Sequence, residues 1–141
     1  MNEKVMECLQ NYGVKGYNCS QSVLCAYADD LGLDKELAYR LAESLGGGFG
    51  GMQEVCGAFS AACLIIGCYT SDGKLEGGCS KPVTRQAILE AAEQFKSEMG
   101  SIICREILGG EKISHGSCGK RVRVAAEIVE NFLAGQNTES K

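Results

Sequence analysis

The stretch Glu54-Val55-Cys56-Gly57-Ala58-Phe59-Ser60-Ala61-Ala62-Cys63-Leu64-Ile65-Ile66-Gly67-Cys68-Tyr69 is apolar nearly all round once its one acid is passed. An apolar run of this length without period-two alternation reads as a helix enclosed by other helices. Its neighbours carry the matching pattern. Residues 83–99 set Val83, Ala87, Ile88, Ala91, Phe95 and Met99 on one stripe, with Arg85, Glu90, Glu93, Lys96 and Glu98 largely elsewhere. Residues 118–134 do the same with Val122, Ala125, Ala126, Val129, Phe132 and Leu133. Segments 2–12, 19–31 and 34–45 also read as helices, and no Asn-Gly hairpin signal is present. The expectation is all-α. It is a single-domain bundle of about five to seven helices over residues 1–135, with 54–69 as the buried central helix. Residues 136–141 are expected to form a polar disordered tail.

Composition narrows the function classes. A chain of 141 residues suits one domain, and 45% hydrophobic with 23% charged content excludes disorder. The formal net charge of −4 gives no basic face for nucleic acid. Glu3 and Glu7 near the start, with no apolar run behind them, do not read as a secretory leader. A cytoplasmic location is therefore expected, where thiols stay reduced. The uncharged stretch Val55 to Ser71 falls short of a membrane span and is broken by Gly57 and Gly67. No membrane insertion is expected.

The helix breaks are glycines. Gly46-Gly47-Gly48-Phe49-Gly50-Gly51 formally satisfies the G-x-G-x-x-G pattern at Gly46, Gly48 and Gly51. A dinucleotide fold needs a strand before that loop and an acid about 20 residues later. Here a helix precedes it, Gly67 to Thr70 fills the later position, and no Walker lysine follows, so no nucleotide is expected. The bland reading is a helix C-cap and a close backbone crossing. The other reading is a support role, with backbone N–H groups of Gly48, Gly50, Gly51 and Gly57 stabilising thiolates or a sulfide-bearing cluster.

Nine cysteines carry the only chemical signal: Cys8, Cys19, Cys25, Cys56, Cys63, Cys68, Cys79, Cys104 and Cys118. None forms a C-x-x-C pair, which removes the thioredoxin motif, the zinc ribbon and the common ferredoxin run. Four fall at or near helix starts. Cys19 follows Asn18 in an N-cap with Gln21 three residues on, and Cys56 follows the glycine loop. Cys104 opens a short helix and Cys118 the last long one. A helix start favours thiolate over thiol, so depressed pKa values are expected there. The other five read as buried small hydrophobes or, for Cys79, an exposed turn residue. Cys63 lies seven residues after Cys56, on the same helical face, and can approach the same site. His115, the single histidine, reads as solvated, with a ligand or proton-donor role as the rival. Lys120, Arg121 and Arg123 read as a solvated face, although Lys120 or Arg121 can also hold a nearby thiolate ionised.

Asn18-Cys19-Ser20-Gln21-Ser22-Val23, the Gly46–Gly51 loop, Cys56-Gly57-Ala58, Gly100-Ser101-Ile102-Ile103-Cys104 and Cys118 together resemble a known family. It is the redox-active family named for its C…CGAxxG…C…C cysteine pattern (C_GCAxxG_C_C). The likeness covers roughly residues 5–133. It implies a small bacterial redox-active protein whose four shared cysteines map to Cys19, Cys56, Cys104 and Cys118. One departure is Ala61, where the pattern has glycine five residues after its cysteine, and it bears on helix packing rather than on ligands.

Three functions follow as rivals. The leading expectation is that the four cysteines converge on an iron–sulfur cluster, or zinc, for electron transfer or redox sensing with a redox partner protein. The second is metal-free thiol–disulfide exchange by two of them. The third is a helical interaction module whose cysteines fill space. The small residues of 56–63 suit close helix packing, across a homodimer included.

Overall fold

A computed structural model of the chain describes residues 2–109 and 118–139, with side chains described as far as Gln136. Seven helices follow in order among these residues: α1 (Glu3–Gly13), α2 (Cys19–Ala26), α3 (Lys35–Glu43), α4 (Gly57–Thr70), α5 (Lys81–Met99), α6 (Cys104–Leu108) and α7 (Gly119–Glu139). The all-α expectation holds. Among the described residues the single β feature is an antiparallel bridge between Val55 and Ile103.

Local sequence sets each boundary. Asn2 accepts the Val5 N–H to start α1, and Asp34 accepts that of Leu37 to start α3. Pro82 sits in the first turn of α5, and Gly100 ends that helix in the left-handed region at φ 84°. In the middle, α2 and α4 pack on each other. α1 and α3 lie against α2, α5 lies against α4, and α7 touches α1, α2, α4 and α5. The core thus runs from Val23 and Leu24 on α2 through Ile65 and Ile66 on α4 to Val122 and Val129 on α7.

Five boundaries and faces differ from expectation. α2 stops at Ala26 instead of reaching 31, because Tyr27 caps it with its N–H on Leu24 O and the chain continues through tight turns. α4 starts at Gly57 rather than 54, since Glu54 to Cys56 are extended and bonded to the 102–105 segment. It is not enclosed all round: Leu64 and Tyr69 are 46% and 40% exposed, while Ala58, Phe59, Ala61, Ala62, Ile65 and Ile66 are buried. Val83, placed on the core stripe of α5, is 60% exposed, and Ala91 and Phe95 carry the buried contact instead. At the other end α7 runs on through Glu139, so residues 136–139 are helical where a tail is expected, and 140–141 lie outside the described residues.

Candidate functional site

Four cysteines stand at helix starts, each fixed by its own backbone hardware. Cys19 is the first residue of α2, behind a reciprocal cap: Asn18 Oδ1 accepts the Gln21 N–H at 2.9 Å and Gln21 Oε1 accepts the Asn18 N–H at 3.0 Å. Asn18 Nδ2 also donates to Glu43 O at 3.1 Å, tying the start of α2 to the end of α3. Cys56 caps α4, and its N–H donates to Ile102 O at 2.8 Å. Cys104 opens α6, and its N–H donates to Glu54 O at 2.5 Å. The Val55–Ile103 bridge therefore holds Cys56 and Cys104 on adjacent stretches of chain. Cys118 precedes α7 and donates its N–H to the Tyr12 hydroxyl oxygen at 3.2 Å, from the other end of the chain. All four are buried.

The side chains lie near one another. Cys118 and Cys56 lie close enough to act on the Cys19 thiol, Cys118 the more strongly. Arg121, one turn into α7 and only 3% exposed, donates from Nη1 to Cys104 Sγ at 3.5 Å. The charges of Cys118 and Cys56 act on the same guanidinium. One cation thus stands among sulfurs drawn from α4, α6 and α7, with the α2 cysteine close to the last of them.

Thiol acidity runs against expectation at two positions. Neighbouring Cys118 and burial raise the Cys19 thiol, and Cys56 adds to the rise, against a lowering N–H contact from Gly47. Burial raises Cys56 as well, although the Phe59 and Ala58 N–H groups and Arg121 pull the other way. The helix-start effect is present at both sites, but desolvation outweighs it. A helix end opposes charge burial with only about 0.3–2 kcal/mol.

The glycine loop contributes unevenly. Gly47, not among the expected supports, supplies the N–H that faces Cys19. Gly48, at φ 73°, passes so close to the bridge that a Cβ there would lie 2.8 Å from Cys104 Cβ and 2.7 Å from the Glu54 nitrogen. At Gly57 a Cβ would lie 2.8 Å from Cys19 Sγ and 2.6 Å from Leu45 O. Gly50 and Gly51 adopt left-handed turns with open space where a side chain would stand, and their N–H groups donate to Ser44 O and Gly46 O. Phe49 and Gln53 share the left-handed conformation, at φ 71° and 60°, although each carries a side chain. The loop presents Phe49 and Met52 to solvent, 50% and 63% exposed.

The remaining cysteines lie apart. Cys8 and Cys25 are buried, and Cys68 and Cys79 are exposed. Burial pushes Cys8 up to about 12, aided by Glu7, and does the same to Cys63, with burial its one cause. His115 lies outside the described residues. Lys120 is exposed. Arg121 is buried rather than part of a solvated face, and it lies beside a site sulfur as the alternative reading had it. Its spacing from Cys118 and Val122, on one helical face, is the signal that locates it. Tyr12 carried no sequence signal of its own.

As placed, the sulfurs act on one another, and one of them accepts from Arg121. Among the described residues no three His, Cys, Asp or Glu side chains are disposed to hold a metal ion. A guanidinium at hydrogen-bond distance from one of the four sulfurs suits a site of net negative charge and opposes a bare divalent cation.

Compared with known proteins, residues 17–132 match the family model described as "Putative redox-active protein (C_GCAxxG_C_C)". No curated protein and no solved structure matches the chain.

Proposed function

The chain belongs to this redox-active family, matched over most of its length, and from that premise we propose a two-electron exchange between the Cys19–Cys118 dithiol and its disulfide. The observation that carries the reading is the burial of both cysteines at neighbouring helix starts, with Cys118 the strongest influence on the Cys19 thiol. A disulfide needs sulfurs brought to about 2.05 Å with Cα atoms within roughly 7 Å, and of the cysteines around Cys19 the one that acts on it most strongly is Cys118. The oxidant is a partner's disulfide. One cysteine, as thiolate, attacks it, forming a mixed disulfide and releasing one partner thiolate. The other cysteine then attacks the mixed disulfide, closing Cys19–Cys118 and releasing the second partner thiolate. The pair gives up two electrons and two protons, and the partner's disulfide becomes two thiols.

Incubation with glutathione disulfide followed by alkylation and peptide mapping tests this. The wild-type chain should lose two of its nine thiols, with Cys19 linked to Cys118. Cys19→Ser and Cys118→Ser should each abolish the link. Oxidation that joins other cysteines, or none, overturns the reading.

A second reading keeps Cys19, Cys56, Cys104 and Cys118 as ligands of an iron–sulfur cluster. Its support is the donor set: four buried sulfurs at helix starts beside one guanidinium. Such a cluster, when bound, supplies one-electron transfer. Anaerobic preparation with visible spectroscopy and iron analysis tests it. A colourless, iron-free sample overturns it.

A further inference from the structure

Ser44 to Gln53 is a stretch without a single charged residue, and Glu54 beyond it is paired with Arg105. Its glycines Gly47, Gly48, Gly50 and Gly51 take the left-handed region, which glycine enters freely. Phe49 stands between them at φ 71°, where a bulky side chain is an outlier. A glycine there would serve the backbone better. The ring regains little by burial, since Phe49 is 50% exposed, and Met52, whose N–H donates to Phe49 O, is 63% exposed. The turn that carries them is firmly bonded: every N–H from Phe49 to Glu54 donates to a backbone oxygen of residues 44–49. The strain thus holds an apolar side chain out in water, which points to a use outside the chain.

The place of this pair on the fold suggests the use. Gly48, next to Phe49, passes so close to Cys104 that a Cβ there would stand 2.8 Å from that of the cysteine. Cys56 follows Gln53 by three residues. All four site cysteines are buried, so a partner's disulfide has to be received at the surface beside them. We propose that Phe49 and Met52 form the docking surface for the polypeptide that exchanges with the site, taking an uncharged, apolar segment around its cysteine. This rests on the dithiol reading given above. With no charge on the loop, a small charged disulfide such as that of glutathione finds no counter-charge there, whereas an apolar side chain gains by leaving water. The loop therefore selects an apolar polypeptide over a small charged thiol.

Two synthetic peptide disulfides serve as oxidants of the full chain, identical except for leucine or serine on either side of each cysteine. Timed alkylation and mass spectrometry read the rate at which the Cys19–Cys118 link forms. Wild type should react at least about tenfold faster with the leucine peptide, the gain from burying a large apolar side chain. In a Phe49→Gly, Met52→Ser double variant the preference should fall to within about threefold, the apolar contact being gone. A wild type without preference overturns the proposal, as does a double variant that keeps it. Phe49→Gly alone should hold its urea midpoint at or above that of wild type, because glycine accepts φ 71° without strain. A midpoint clearly below wild type makes the ring a support of the loop and overturns the proposal. If wild type forms no Cys19–Cys118 link with either peptide or with glutathione disulfide, the dithiol reading falls. Docking is then read alone, with a fluorescein-labelled leucine peptide carrying serine for cysteine. Binding to wild type at least about tenfold tighter than to the double variant upholds the docking surface, and equal binding overturns it.

Discussion

Val55 and Ile103 pair as an antiparallel bridge, and this one contact sets Cys56 and Cys104 on adjacent stretches of chain. The N–H of each cysteine is consumed in the pairing: Cys56 donates to Ile102 O and Cys104 to Glu54 O. The two sulfurs therefore share a backbone reference, although they open different helices.

Gly48→Ala should disturb that pairing. The new methyl meets the Glu54 nitrogen, Gln53 Cα and Cys104 Cβ, all within 2.8 Å, in a left-handed conformation that side chains resist. A loss of about 2 kcal/mol or more is expected, against about 1 kcal/mol for Gly50→Ala, which shares the conformation but faces open space. Denaturant midpoints of the two variants check the difference.

Asn18→Ala removes the acceptor for the Gln21 N–H, the partner of Ser20 Oγ, and the donor to Glu43 O. The expected destabilisation is about 1–2 kcal/mol. Because Cys19 follows directly, the variant should also slow closure of the Cys19–Cys118 link, read by timed alkylation under fixed glutathione disulfide.

Cysteine labelling should divide by burial. At about pH 8, iodoacetamide should modify Cys68 and Cys79 first, since both are exposed. Cys8 and Cys63, pushed up to about 12, hold roughly one thiolate per ten thousand at that pH and should resist in the folded state. Mass spectrometry of partly labelled protein reads the order directly.

Alkali should unfold the chain. A buried thiol held near 12 keeps its proton where an unfolded thiol, at an ordinary 9.0, has released it. Cys8 and Cys63 thus contribute stability that is complete below about pH 9 and lost as pH climbs from about 9 through 12. Tyr27, raised by burial and its hydrogen bond to Glu130, acts in the same direction. Urea midpoints in reducing buffer should fall between about pH 8 and about pH 10.5. A flat profile would contradict the buried-thiol account.

The helices were legible because apolar spacing and caps report locally. Asn18 with Gln21, Asp34 and Pro82 each announce a start within a few residues. The end of α2 was not, since nothing in Tyr27 to Leu31 breaks a helix; the stop comes from packing of Tyr27, fully buried. Neither was the extended segment before α4, because a bridge to Ile103 depends on a partner far along the chain. The same limit governed the site. Helix-start position singled out the four cysteines, but which sulfurs touch is a tertiary fact. Acidity was misread at Cys19 and Cys56 because a helix end acts from sequence, whereas burial acts from everything around it. Arg121 sits in a run of cations that looks solvated until its register with Cys118 and Val122 is followed.

Tyr12 lies on α1, ahead of the stretch shared with the family, yet its hydroxyl receives the Cys118 N–H. A piece trimmed to residues 17–132 would keep every cysteine of the site and discard the phenol that anchors one of them. The stretch that shows kinship thus leaves out a contact that holds one of the site cysteines in place. Truncation for production or for grafting onto another chain should retain α1.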